Sequence, residues 1–255
     1  MATVTSRITG KDYDVDEWAL RVDLAATFRL AARANWHEGV ANHFSVAVSD
    51  DGKKFLLNPR WKHFSHIRAS DLLLVDADDQ DTMSRPDAPD PSAWCIHGAV
   101  HANVPQARVL LHCHPDYATA LSGLKDPSIK PIDQNTARFY NRMAIDTKFG
   151  GLADDSEEGL RIARAFGNHR SMMMGNHGVA VAERTVAEAF DELYYLERAA
   201  KTMVLAYSTG QPLSILEEEL AEKTAAGWDG FRESAFAHFD EMKAILDRED
   251  PSYRE

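Results

Sequence analysis

Residues 109–124 read VLLHCHPDYATALSGL. The apolar run Val109, Leu110 and Leu111 leads into His112, Cys113 and His114, and Pro115 then ends it. Successive side chains of a β-strand face opposite ways, so His112 and His114 share one face and Cys113 takes the other. Two such imidazoles stand about 6–7 Å apart along the strand, close enough to reach one metal ion. A second apolar run, Met172, Met173 and Met174, is followed by Gly175, Asn176, His177 and Gly178. The flanking glycines let backbone or ligand approach that third imidazole closely. Three imidazoles with an open position form a catalytic metal site; structural histidines at two strand ends are the alternative. Two other groups carry chemistry-bearing side chains. Asn42, His43 and Ser45 stand where a loop enters a strand, a place for an anion or for ordinary loop polarity. His97 and His101 lie four apart on a helix, the spacing of paired metal ligands and also of structural histidines, without an H-E-x-x-H pattern.

The elements that must position these residues follow from periodicity and punctuation. An amphipathic helix is predicted over residues 14–35, with Trp18, Val22, Ala25, Phe28 and Ala32 on one stripe and Gly39 after its end. Phe44, Val46 and Val48 alternate, Asp51-Gly52 turns the chain and Phe55 to Leu57 return, which is a hairpin. Leu72 to Val75 read as a buried strand, and the Asp- and Pro-rich residues 76–91 as a surface loop. Ser92 is placed as the N-cap of a helix over 93–103. The strand 108–114 and a short helix from 116 to Gly123 come next. Residues 131–151 are less regular, with Gln134, Asn135, Arg138 and Tyr140 polar among apolar neighbours. Capping boxes at Asp155/Glu158 and Thr185/Glu188 open helices that end near Phe166 and at Gly210. The last 45 or so residues read as one or two charged amphipathic helices, a cap or an oligomer contact. The whole chain is expected to be one domain, with a core over about 16–210 and a helical extension over 211–255.

With 255 residues and 44% hydrophobic content, the chain can bury a sizeable core. A net charge of −12 argues against nucleic acid and anionic membranes as partners. No apolar run approaches the ~18 residues of a membrane span, and MATVTSRITGKD carries no signal-peptide core. Cys95 and Cys113, without C-x-x-C spacing, fit a reducing, cytoplasmic setting.

In order, the chain presents a helix, an N-H-F-S hairpin, a P-S-x-W-x-x-H helix, an H-C-H strand and a G-N-H-G strand running into a long helix. Over about residues 16–210 it resembles the class II aldolase/adducin family. The resemblance implies a three-layer α/β/α fold with a mostly antiparallel central sheet. It also implies a divalent metal on His112, His114 and His177 (zinc first, with manganese or iron as alternatives) and a homo-oligomer, usually a tetramer. In the family's sugar-phosphate aldolases, small polar residues hold the phosphate and an acidic residue after a Ser-Ser pair moves the proton. Here Asn42 and Ser92 match, whereas Arg60 and Trp61 stand where Thr-Gly is expected and Ala93 stands at the acid/base position. The chain therefore looks like the adducin-like branch.

Alanine moves no proton, so decarboxylation suits this set better than aldol cleavage. The expected activity is a metal-dependent lyase, of decarboxylase or aldolase type, on a small oxo- or hydroxy-carboxylic acid. Asn42, Ser45, Arg60 and Ser92 are assigned to substrate binding, and His97 and Tyr140 to proton transfer. A non-catalytic adducin-like binding protein and an iron-dependent oxygenase are the alternatives.

Overall fold

The computed structural model of the protein describes residues 3–8, 11–151 and 155–255, with side chains from Glu17 onward. A hairpin of β1 (Thr3–Ile8) and β2 (Lys11–Asp16) precedes helix α1 (Glu17–Arg33). The helix thus starts three residues later than its apolar stripe suggests, because residues 14–16 pair as strand. Its end is set by Asn35 at φ 59°, with Trp36 N–H bonded back to the Ala31 carbonyl, and not by Gly39.

Seven strands form the central sheet: β3 (His43–Ala47), β4 (Lys54–Leu57), β5 (Leu73–Asp76), β6 (Val109–Cys113), β7 (Met143–Asp146), β8 (Ser171–Met174) and β9 (Gly178–Glu183). They lie in the order β5-β4-β3-β6-β9-β8-β7. Every neighbouring pair is antiparallel except β7 with β8, so the sheet is mixed with one parallel edge. That edge strand, and the helical turn α4 (Gln134–Ala137) before it, fall within the stretch whose sequence looks irregular. Four residues paired on one side only leave too short a pattern to read.

Helices cover both faces. Alternation along β6 sends Val109, Leu111 and Cys113 into a core shared with α1, α3 (Asp116–Ser122) and α6 (Val186–Ser208). Leu110 goes the other way, toward α2 (Pro91–Asn103) and α5 (Ser156–Phe166). Helix α2 begins two residues before the predicted N-terminus. Asp90 caps it by accepting the Ser92 N–H at 2.9 Å, and Pro91 fills the first turn, where a missing N–H costs nothing. Helices α7 (Glu218–Asp229) and α8 (Ser234–Glu249) close the chain, and Phe239, Leu246 and Tyr253 join the α1–α6 core. Among the described residues no helix is long and apolar enough to cross a membrane.

Register delivers the chemistry to one end of the sheet. β3 pairs with β6 so that His43 stands opposite His112. β8 and β9 pair Met174 with Gly178, which leaves His177 in the turn between them, beside the end of β6.

Candidate metal centre

His112 is 2% exposed, and its Nδ1 donates to the Val179 carbonyl at 2.9 Å. A carbonyl only accepts, so the proton sits on Nδ1 and Nε2 carries a free lone pair. His114 is held the same way, its Nδ1 bonded to the Glu38 carboxylate. With both rings in the neutral form that ligates a metal, the two Nε2 lone pairs face each other at 3.3 Å. A shared cation resolves that juxtaposition. His177 completes the group: its ring centroid is 4.8 Å from both others, and one ligand atom from each of the three lies within 4.8 Å of the rest. The site fits a divalent ion on donor chemistry as well as geometry, because neutral imidazole is the ligating form. Burial pushes His112 well below its usual pKa, with neighbouring imidazoles adding to it. Burial, then His114, brings His177 to about 4.

The local chain is shaped for this. A Cβ on residue 178 would lie 2.5 Å from His114 Cδ2 and 2.8 Å from the Cys113 carbonyl, so only glycine lets the His114 ring in. Asn176 turns the chain at φ 55°, and its N–H is tied to the Ser122 carbonyl at 2.8 Å. Phe149, largely exposed, stands 6.0 Å from the His177 ring and flanks the opening.

Behind the triad lies a second tier of imidazoles on the α2 side of the sheet. His43 Nδ1 is 2.7 Å from His97 Nε2, and its other nitrogen is 3.3 Å from Ser92 Oγ. His97 Nδ1 meets Ser45 Oγ, which is also 2.6 Å from His101 Nε2. His101 Nδ1 ends the series on the Ala107 carbonyl at 2.6 Å. The His43 and His112 rings sit 5.0 Å apart. Burial lowers His43 and His101 to about 4 and His97 well below its usual value, so all three are neutral near pH 7.

This arrangement sorts the residues singled out by sequence. His112, His114 and His177 come together, with His43 and Ser92 beside them. His97 and Ser45, expected to move a proton and to touch substrate, are instead completely buried, with every polar side-chain atom engaged in the second tier. They support His43 and do not line the opening. The helical pair His97/His101 serves that tier and, among the described residues, belongs to no second metal-ligand group. Asn42 has φ 73° and a buried Oδ1 without a hydrogen-bond partner, while its carbonyl accepts from Asn58. Arg60 stacks on Trp61 at 4.4 Å and has no carboxylate partner among the described residues. Tyr140 is half-buried in the turn before β7, with no hydrogen bond to the triad among the described residues. Ala93 is 1% exposed and packs with Phe55, Leu57 and Val75. The residue that sequence reasoning missed is Glu38. It has no periodic or motif signal, and its value lies in a non-local bond that fixes the orientation and tautomer of His114.

Known proteins share this plan. The sequence profile described as Class II Aldolase and Adducin N-terminal domain matches residues 22–204. A Caulobacter vibrioides protein named "Putative aldolase class 2 protein" is 33% identical over 221 residues, 87% of this chain and 85% of its own. Decarboxylase NovR of Streptomyces niveus is 26% identical over 216 residues, 82% of this chain and 79% of its own. Among solved structures, an aldolase II superfamily protein from Pseudomonas syringae superposes with a TM-score of 0.83 at 29% identity, covering 94% of this chain and 96% of that one.

Proposed function

The chain belongs to the class II aldolase and adducin family, and from that premise we propose that it is a divalent-metal-dependent lyase acting on a small oxo- or hydroxy-carboxylic acid, by decarboxylation in preference to aldol cleavage. The observation that carries this reading is the pair of Nε2 lone pairs of His112 and His114, locked face to face at 3.3 Å by anchored Nδ1 atoms. A binding scaffold has no use for that arrangement. His112, His114 and His177 would hold the ion, zinc in preference to manganese or iron. When bound, it supplies Lewis-acid polarisation of a substrate oxygen.

The protein's own groups do the rest. Arg60, with no acidic partner among the described residues, pairs with the substrate carboxylate through its planar fork. Glu38 holds His114 in place, and Phe149 shields the mouth from water. In decarboxylation the bond between the carboxyl and the carbon beside an oxo or ring-hydroxyl carbon breaks, CO2 departs, and the electron pair passes into that neighbouring carbonyl as an enolate, whose carbon later takes a proton from solvent. No side-chain base is needed for the bond-breaking step, consistent with alanine at position 93. Similarity to a decarboxylase supports the same direction. The exposed apolar side chains of Leu205, Ile215, Leu220, Phe231 and Phe236 along the C-terminal half support assembly as a homotetramer. Cys95 and Cys113, without C-x-x-C spacing, support a cytoplasmic setting.

The test is an activity panel of hydroxylated and oxo carboxylic acids beside fuculose- and rhamnulose-type phosphates, each with zinc, manganese and iron, with and without oxygen. CO2 release from a carboxylic acid without oxygen is expected. Fast cleavage of a sugar phosphate, or turnover only with iron and oxygen, would overturn the reading.

A further inference from the structure

The second tier of histidines has a fixed direction, and that direction follows from its last member. The Ala107 carbonyl can only accept, so His101 must carry its proton on Nδ1. Neutral His101 then presents a lone pair at Nε2, and the Ser45 hydroxyl must donate to it. A hydroxyl has one hydrogen, so Ser45 Oγ accepts from His97 Nδ1. His97 Nε2 is left as acceptor, and the proton between it and His43 belongs to His43 Nδ1. One tautomer is thereby imposed on each of three rings. The consequence reaches the metal cleft: His43 Nε2 carries no proton.

What faces that lone pair does not satisfy it. Ser92 Oγ lies 3.3 Å away but gives its hydrogen to Asp90 Oδ1 at 2.5 Å. The reversed polarity would set the His101 Nδ1 lone pair against the Ala107 carbonyl at 2.6 Å, which no neutral ring tolerates. His43 itself is 5% exposed, stands opposite His112 across the β3–β6 pairing and stacks at 5.0 Å from its ring.

We propose that His43 selects hydroxyl-bearing ligands at this cleft: its Nε2, held unprotonated by the buried series His97–Ser45–His101–Ala107, accepts a hydrogen bond from a ligand O–H beside the triad. His43 would be the binding residue, and His97, Ser45 and His101 positioning residues that act through it. Among the acids considered above, this favours hydroxylated acids over oxo acids that lack a hydroxyl. This ligand preference rests on the metal reading of the triad, whereas the tautomer order does not.

Two measurements test the two halves. Neutron diffraction from D2O-exchanged crystals should show deuterium on Nδ1 of His43, His97 and His101 and none on their Nε2 atoms. Deuterium on Nε2 of His43 would overturn the proposal outright. Calorimetric titration of the zinc-loaded protein then compares lactate with pyruvate, which chelate through equivalent oxygens but differ in having an O–H to give. Wild type should bind lactate about 5-fold more tightly, the size of one net hydrogen bond. Ser45→Ala and His97→Leu should bring that ratio near one with pyruvate affinity retained. His97→Gln, whose amide oxygen still accepts from His43, should preserve it. Equal affinities in the wild type, or an unchanged ratio in Ser45→Ala, would overturn the selection role. Failure of the protein to take up zinc would refute the metal reading, and the neutron map alone would then decide the tautomer order.

Discussion

Two buried polar regions of this protein deal with burial in opposite ways. Around the triad, His43, His97, His101, His112 and His177 are all driven neutral, first by desolvation. Between α6 and the C-terminal helices, charge is kept. Arg138 joins Asp191 and Glu192 at 2.9 Å each, and His238 also bonds Asp191 at 2.7 Å. Arg232 joins Glu183 at 2.8 Å and Glu188 at 2.9 Å. Burial works against the Arg138 charge, yet Glu192 and Asp191 more than offset it and its pKa rises. The lesson concerns alternatives. An imidazole can shed its proton and remain a hydrogen-bonding group, whereas a guanidinium must be paired where it stands. The first region is thus left ready for a cation, and the second has its cations built in.

The contrast predicts where single substitutions hurt most. Arg138→Met takes the guanidinium from two buried carboxylates, 4% exposed each, and should cost about 3–5 kcal/mol in urea unfolding. Ser45→Ala removes one hydroxyl from a neutral series and should cost about 1–3 kcal/mol. If the two lose equal stability, the distinction between the regions collapses.

Lowering pH sharpens the comparison, with the sign set by each shift. His43, His101 and His177 have folded pKa values of about 4, below the ordinary 6.5. The unfolded chain therefore binds more protons between those limits, and this stability is lost as pH falls from about 6.5 toward 4. Glu183 and Glu197 are raised to about 7 from 4.5, chiefly by burial, so they contribute oppositely and favour the fold as pH falls through the same range. Among the described residues, six depressed imidazoles (His37 is the sixth) against two raised carboxylates predict a net loss for the metal-free protein, read as a falling urea midpoint between pH 6.5 and 4. Glu183→Gln should steepen that fall; a flat profile would contradict the assignment.

Zinc acts on one region only. At 100-fold over its dissociation constant, zinc should stabilise the wild type by about 2.7 kcal/mol through mass action, and a chelator should reverse it. The smallest effect is expected at Arg60→Ala. That side chain stacks on Trp61, itself 71% exposed, so stability should change by less than about 0.5 kcal/mol while binding of a carboxylic acid weakens.

Much of this was legible in the sequence, and the limits have physical reasons. Strand alternation exposes the H-x-H pair, and the capping residues Asp155 and Thr185 place two helices where the structure has them. β7 was not legible, because an edge strand of four residues shows too little pattern. The start of α2 was misread at Ser92 because a capping serine and a serine bonded to the true cap, Asp90, look alike in one dimension. Most of all, residue type points Ser45 to substrate binding and His97 to proton transfer, since it reports chemistry but not depth. Only the sheet register and the face of α2 show that they stand behind His43. Glu38 gave no signal at all, because its partner lies 76 residues away.

Metal content decides the central claim most directly. Elemental analysis of the purified protein should find close to one divalent ion per chain, and none in the His112→Ala/His114→Ala double variant, whose circular dichroism should show the sheet intact. Full metal content in that variant would contradict the account.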